Sequence, residues 1–331
     1  QRIVFSQLCN VLDPGVAVDF SSITNELWAS TQALRQQLKA DHEAAAALCH
    51  KVGMRSCKEL REAKVVKWSN EGLSATDLTL LGTLGSVLPA LETLRLLESS
   101  AVPDGVQRLA EGLGVGTLPA VAGLSLNMLV YDAGASALAA ALGRGALPRL
   151  KVLCLHCAAI GDAGLLALAS ALRRLPPTLH TLCLSSNPFG DEGLAALVAP
   201  PPAGALPPPT GVLANLIILH PMRFPTAGAL ANLIGLDLSH TQVADAGCAT
   251  LAAAIGSGAL PALDRLDLEG IPASAAAIVA VREALDTERR KAEVTLTLSL
   301  SLSLSLSLSL TLALTLTLTL TLTLTRLREG A

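Results

Sequence analysis

The chain has 331 residues, 51% of them hydrophobic but only 2% aromatic, so its core is made of Leu, Ala and Val in many small, similar layers and not around large rings. The formal net charge of −3 divides into +2 over residues 1–70, −6 over residues 71–285 and +1 over the remainder, which denies the body the basic stripe that phosphate binding needs and excludes nucleic acid as an expected partner. Seven cysteines form an odd, scattered set, and no hydrophobic signal segment stands at the start, so a reducing, cytoplasmic location is expected for a chain that begins with Gln1 and not Met.

Residues 1–62 read as helical. Ser21 to Lys39 and Asp41 to Val52 are rich in Ala, Leu, Gln and Glu, with Asp41 placed as an N-cap. The run LCNVLDPGVAVDFSSITNELW, through Leu8, Leu12, Asp13, Pro14, Leu27 and Trp28, resembles an F-box. That resemblance implies a substrate receptor docked through an adaptor onto a cullin-type ubiquitin ligase. The other reading is a helical cap that covers the apolar flank of a repeat array.

From Lys64 to Leu88 the pattern is that of a capping repeat: Val65, Val66 and Trp68 suit a short strand, Asn70 a turn, and Ser74 to Asp77 a capping box that opens a helix. Six clearer units follow, one of them damaged, with strand cores Leu91-Leu94-Leu96, Val121-Leu124-Leu126, Leu150-Leu153-Leu155, Leu179-Leu182-Leu184, Leu233-Leu236-Leu238 and Leu263-Leu266-Leu268. The best-formed pair spans Leu147 to Val198, where Leu150, Leu153, Leu155, Asp162, Gly164 and Leu165 recur 29 residues later. The helical halves start at Asp104, Asp132, Asp162, Asp191 and Asp245, which are expected to cap those helices.

The spacing Leu179, Leu182, Leu184, Asn187 resembles a leucine-rich repeat, and units of 28 to 30 residues with a full helix resemble its ribonuclease-inhibitor type, over residues 63–285. The resemblance implies an α/β solenoid with a parallel concave sheet and outer helices. It also implies protein binding, with relatives that include activators of a small GTPase. The Asn of the pattern stands only at Asn187; Ser99, Leu129, Ala158, Thr241 and Ile271 replace it elsewhere, so looser turns are expected.

The period fails at 199–229, where PPPAG and PPPT occur and ALANLIGL at 229–236 echoes VLANLIIL at 212–219. Either a loop bulges out or the array splits into two stacks. Residues 286–331 hold a charged hinge, DTERRKAE, and then a tail that alternates Leu with Ser or Thr from Val294 to Thr325. Three readings of the tail stand: a strand far longer than usual, a membrane or surface anchor flanked by basic residues, or a translated simple DNA repeat.

Cys154, His156, Cys157, His180 and Cys183 suggest zinc by composition, but strand alternation points Cys154 and Cys157 to opposite faces. No Ser/His/Asp set, phosphate loop or carboxylate pair stands out, so neither catalytic, cofactor nor metal residues are assigned. Alternation does assign an exposed concave column: Arg95, Ser125, Cys154, Cys183, Asp237 and Asp267, flanked by Asn127, His156, Ser185, Ser239, Arg265 and Glu269. These twelve are the expected partner-binding residues of a monomeric, non-catalytic scaffold that uses no cofactor, with a ubiquitin-ligase receptor and a GTPase regulator as the alternatives. No membrane association is expected unless the tail anchors the chain.

Overall fold

Each repeat needs only a short run in which alternate residues are Leu, because period-two alternation sends every second side chain inward. A computed structural model describes residues 10–22, 25–98, 104–173, 178–199, 230, 232–291, 293–294 and 297–298. It carries this pattern through seven strands: β1 (Val65–Ser69), β2 (Thr93–Leu97), β3 (Gly123–Asn127), β4 (Val152–Cys154), β5 (Thr181–Cys183), β6 (Gly235–Asp237) and β7 (Arg265–Asp267). They form one parallel sheet in chain order. Leu94, Leu124, Leu153, Leu182, Leu236 and Leu266 are register partners in succession. All but Leu266 are buried.

Helices cover one face of the sheet. The N-terminal region supplies α1 (Gly15–Ser21), α2 (Asn25–Ser30), α3 (Gln32–Lys51) and α4 (Cys57–Glu62). The repeats supply α5 (Ala75–Leu84), α6 (Gly105–Gly112), α7 (Tyr131–Gly143), α8 (Asp162–Leu172), α9 (Asp191–Val198) and α10 (Asp245–Gly256). Residues 275–291 form a further helix, α11. From α5 to α10 each helix packs on the next, and one hydrophobic core runs from Leu12 to Leu285. The architecture is an α/β leucine-rich repeat solenoid, with a parallel sheet on one side and helices on the other.

Several expectations change here. Asp41 caps nothing: α3 runs straight through it, and its carboxylate accepts a hydrogen bond from Gln37 Nε2 at 2.7 Å. The Ala-rich stretch that follows favours helix, and Leu38, Ala45, Leu48 and Cys49 share its buried side, so no break is needed. The array does not split at the proline-rich segment, because β5 and β6 pair directly, Leu182 with Leu236. Residues 200–229, the loop reading included, lie outside the described residues, as does nearly all of the alternating tail. Asp286 to Lys291, expected as a hinge, continue α11, where Arg289–Asp286 and Lys291–Glu288 pair at helical spacing. Among the residues resembling an F-box, Leu12 is buried, Asp13 pairs with Arg61 at 2.9 Å, and Trp28 is exposed under the Arg35 guanidinium.

The capping box does form: Ser74 accepts from the Asp77 amide, and Asp77 accepts from the Ser74 amide. Lys51 of α3 joins it at 2.6 Å. Burial pushes the Asp77 carboxyl up, but donation from Lys51 and from the Ser74 amide and hydroxyl outweighs it and holds the group below 3.8. This contact ties the N-terminal helices to the first repeat.

The aspartates at the helix starts act differently from expectation. None of them makes a side-chain cap on its own helix. Asp132 instead accepts from the Gly161 and Gly164 amides one repeat on, Asp162 from Gly190 and Gly193, Asp191 from Ala244, and Asp245 from Ser274. Each carboxylate therefore sits at the positive N-terminus of the following helix. A glycine in the first turn of α8, α9 and α10 makes room for the carboxylate of the repeat before: a Cβ on Gly164 would lie 2.5 Å from Asp132 Oδ1, one on Gly193 2.7 Å from Asp162 Oδ1, and one on Gly247 closer still to Asp191 Oδ1. The recurring Asp-x-Gly is thus a clasp between repeats.

Asn187 makes a second link. Its buried amide donates to the Leu155, Leu184 and Ser185 carbonyls and accepts from the Ala158 and Ile160 amides. Where the Asn is missing, other groups serve: Thr241 donates to the Leu238 carbonyl, and the Ala158 carbonyl takes the Val130 and Tyr131 amides.

Candidate binding face

The register puts Lys67, Arg95, Ser125, Cys154, Cys183, Asp237 and Asp267 side by side, one per strand, on the face turned away from the helices. At about 4.8 Å per strand this column is about 29 Å long, measured along the sheet. Its charge is ordered: two cations, a middle of one hydroxyl and two cysteine sulfurs, then two carboxylates. Lys67 was missing from the sequence-based column although Val66 and Trp68, buried on either side of it, give the same alternation. The strand belongs to the irregular capping unit, where the leucine pattern is absent.

The flanking residues are less uniform. Arg95, Arg265, Asp267 and Glu269 are exposed, whereas Ser125, Asn127, Cys154, His156, Cys183 and Asp237 are half-buried. Ser185 and Ser239, expected on the open face, are buried at 4% and 9% exposure. They follow strands of only three residues, and their hydroxyls turn to neighbours. Ser185 bonds His156 Nδ1 at 2.9 Å and lies 3.3 Å from Cys183 Sγ, while Ser239 donates to Asp237 Oδ1 at 2.7 Å.

These contacts build one hydrogen-bonded network across the middle strands. Ser125 donates to Asn127 Oδ1 at 3.0 Å, and Cys183 donates to Asp237 Oδ2 at 3.2 Å. The Cys154 thiol falls to about 6, chiefly because Cys183 bonds it; burial opposes the shift, while the His156 backbone, the Ser125 side chain and the His156 charge reinforce it. Cys183 moves upward, because Cys154 beside it takes the charge and burial disfavours another. Burial also pushes Asp237 up, but donation from Ser239, Cys183 and Ser185 outweighs it and holds the carboxyl below 3.8. The other buried thiols behave ordinarily: burial pushes Cys49 up to about 12 and also raises Cys248.

Cys157 stands apart from the column. It is not on β4, which ends at Cys154, but in the turn beyond, with a left-handed φ of 53° and its Sγ 3.1 Å from His156 Nε2. The opposite-face argument, which assumed a longer strand, therefore does not apply to it. Among the described residues no group of three or more His, Cys, Asp or Glu side chains is arranged to hold a metal ion. Nor is any described helix long and apolar enough to cross a membrane.

A comparison with curated proteins finds no match. A family model described as Leucine Rich repeat matches residues 176–198, the stretch that contains β5, Asn187 and α9. The matched segment and the sheet built around it support a leucine-rich repeat protein.

Proposed function

We propose that this chain is a non-catalytic scaffold of the ribonuclease-inhibitor type that takes a protein partner on its concave face. Leucine-rich repeats generally mediate protein–protein interaction and typically serve as non-enzymatic binding scaffolds. The observation that carries the reading is the seven-residue column from Lys67 to Asp267, polar throughout and turned away from the helices. No apolar element covers it among the described residues, and its charged ends hold surface that a partner can neutralise. The twenty-nine-residue unit with a full helix, seen in β4–α8, suits the named type.

A photo-crosslinking amino acid placed at Ser125 tests this in cells, with Leu166 on the exposed side of α8 as the reference position. A discrete protein adduct from position 125 that is absent from position 166 is the expected result. Identical adducts from both positions, or none from 125, would overturn the concave-face reading.

A further inference from the structure

The column repeats charge of the same sign at each end. Lys67 and Arg95 are direct register partners, and so are Asp237 and Asp267. Like charges directly opposite on neighbouring strands repel, so neither pair exists to hold the sheet together. Among the described residues Lys67 and Arg95 make no ion pair or side-chain hydrogen bond, and both are exposed. Asp267 spends one oxygen on the Glu269 amide, while Asp237 accepts from Ser239 at Oδ1 and from the Cys183 thiol at Oδ2, so both carboxylates meet only uncharged donors. No cation among the described residues pairs with either of them. Four strand steps of about 4.8 Å separate Arg95 from Asp237, and six separate Lys67 from Asp267, so the two charged ends lie about 19 to 29 Å apart along the sheet.

We propose that the concave column takes a bipolar polypeptide segment, its carboxylates against Lys67 and Arg95 and its ammonium or guanidinium groups against Asp237 and Asp267. The proposal rests on the concave-face reading and adds the partner's chemistry and direction. Over 19 to 29 Å a helix needs about 13 to 19 residues. A helix with acidic residues in its first turn and basic residues in its last is also favoured by its own dipole, so the fitting ligand is an intrinsically good helix. The centre, Ser125, Cys154 and Cys183, holds no cation and offers a hydroxyl and two sulfurs to polar residues between the poles.

The test uses the full chain and two fluorescent synthetic helical peptides of about 20 residues. One has glutamates at its N-terminal end and lysines at its C-terminal end; the other has the same composition with the charges interleaved. Fluorescence anisotropy is expected to show the bipolar peptide binding about tenfold tighter at about 50 mM salt, with the gap closing near 500 mM as screening shortens the range of the field. Lys67→Glu with Arg95→Glu should remove that advantage. Adding Asp267→Lys and Glu269→Lys reverses the gradient and should restore it, since the peptide can turn end for end; circular dichroism confirms that each variant is folded. Equal binding of the two peptides, both lost on Ser125→Trp, overturns the bipolar reading and leaves concave docking standing. No binding of either peptide, together with no adduct from position 125, overturns both.

Discussion

Removing one clasp between repeats gives the sharpest check on how the solenoid is held. In Asp162→Ala the Gly190 and Gly193 amides, each 2.8 Å from Asp162 Oδ1, lose their acceptor at the N-terminus of α9. An N-cap side chain is worth about 1 kcal/mol, and a carboxylate at the positive end of a helix adds about 0.3–1 kcal/mol, so the loss is about 2 kcal/mol, or about 30-fold in the folding equilibrium. Asp162→Asn keeps the acceptor and gives up only the charge, so it should cost less than half as much. The glycine supplies the decisive control. Gly193→Ala in the wild type drives a Cβ to within 2.7 Å of Asp162 Oδ1 and should destabilise the protein. In Asp162→Ala the carboxylate obstacle is gone, leaving tight contacts of 3.2 Å to the Cα of residue 162 and to Leu165 Cδ2, so the second change recovers part of the about 0.8–1 kcal/mol by which alanine exceeds glycine in a helix. The double-mutant cycle, read by urea denaturation and by hydrogen exchange of the α9 amides, should therefore show coupling of at least 1 kcal/mol, about the middle of the range for contacting residues. Additive costs with unchanged α9 protection would refute the clasp.

Three further outcomes are expected. Asn187→Ala leaves the Ala158 and Ile160 amides without their acceptor in a buried turn, and at about 1–3 kcal/mol for each unsatisfied group it should cost about 3 kcal/mol of unfolding free energy measured by urea denaturation, more than any exposed substitution on the column. Alkylation of Cys154 by iodoacetamide, followed site by site with mass spectrometry, should be half-maximal near pH 6; Cys183→Ala removes the largest contribution to that shift and should move the midpoint up toward 9.0, whereas an unmoved midpoint would exclude the thiol pairing. Asp77 has its folded-state value below 3.8, so its contribution is fully present above about pH 4 and is lost as pH falls through the lowered value. Asp77→Asn should therefore flatten the acid limb of the stability profile, and Ser74→Ala should cost about 1 kcal/mol at neutral pH.

What the sequence made legible follows from periods that are local. Alternation with period two placed Arg95, Ser125, Cys154, Cys183, Asp237 and Asp267 in one column because a strand offers only two faces. It missed Lys67, whose strand lacks the leucines that marked the others, and it misplaced Ser185 and Ser239, which lie past the ends of three-residue strands where alternation no longer decides direction. The aspartates were legible as helix-start residues but not in their target. Whether Asp162 caps its own helix or the next depends on how one repeat stacks on another, and that distance is set by the sheet and the helix layer together. The Asp-x-Gly spacing carried the missing signal, since a glycine in the first turn of α7, α8, α9 and α10 alike is a cost that local structure does not explain.

The division of labour between the faces connects stability to binding. In a solenoid, stability is approximately the sum of repeat terms and nearest-neighbour terms. Here polar neighbour contacts lie at the helix starts and in the turns, where Asp132, Asp162, Asp191 and Asp245 reach the next repeat and Asn187 bridges two turns. The apolar neighbour contacts lie between sheet and helices. Holding the repeats together therefore asks little of the outward side chains of β1–β7. A face relieved of that task can carry Lys67 beside Arg95 and Asp237 beside Asp267, pairings that cost the sheet about 0.2–1 kcal/mol each. Charge that is unfavourable alone becomes favourable when an opposite charge is laid on it. The same argument predicts that exchanging Arg95 for a neutral residue, Arg95→Gln, raises the stability of the free protein slightly while weakening its complex, a pairing of signs that a purely structural arginine would not give.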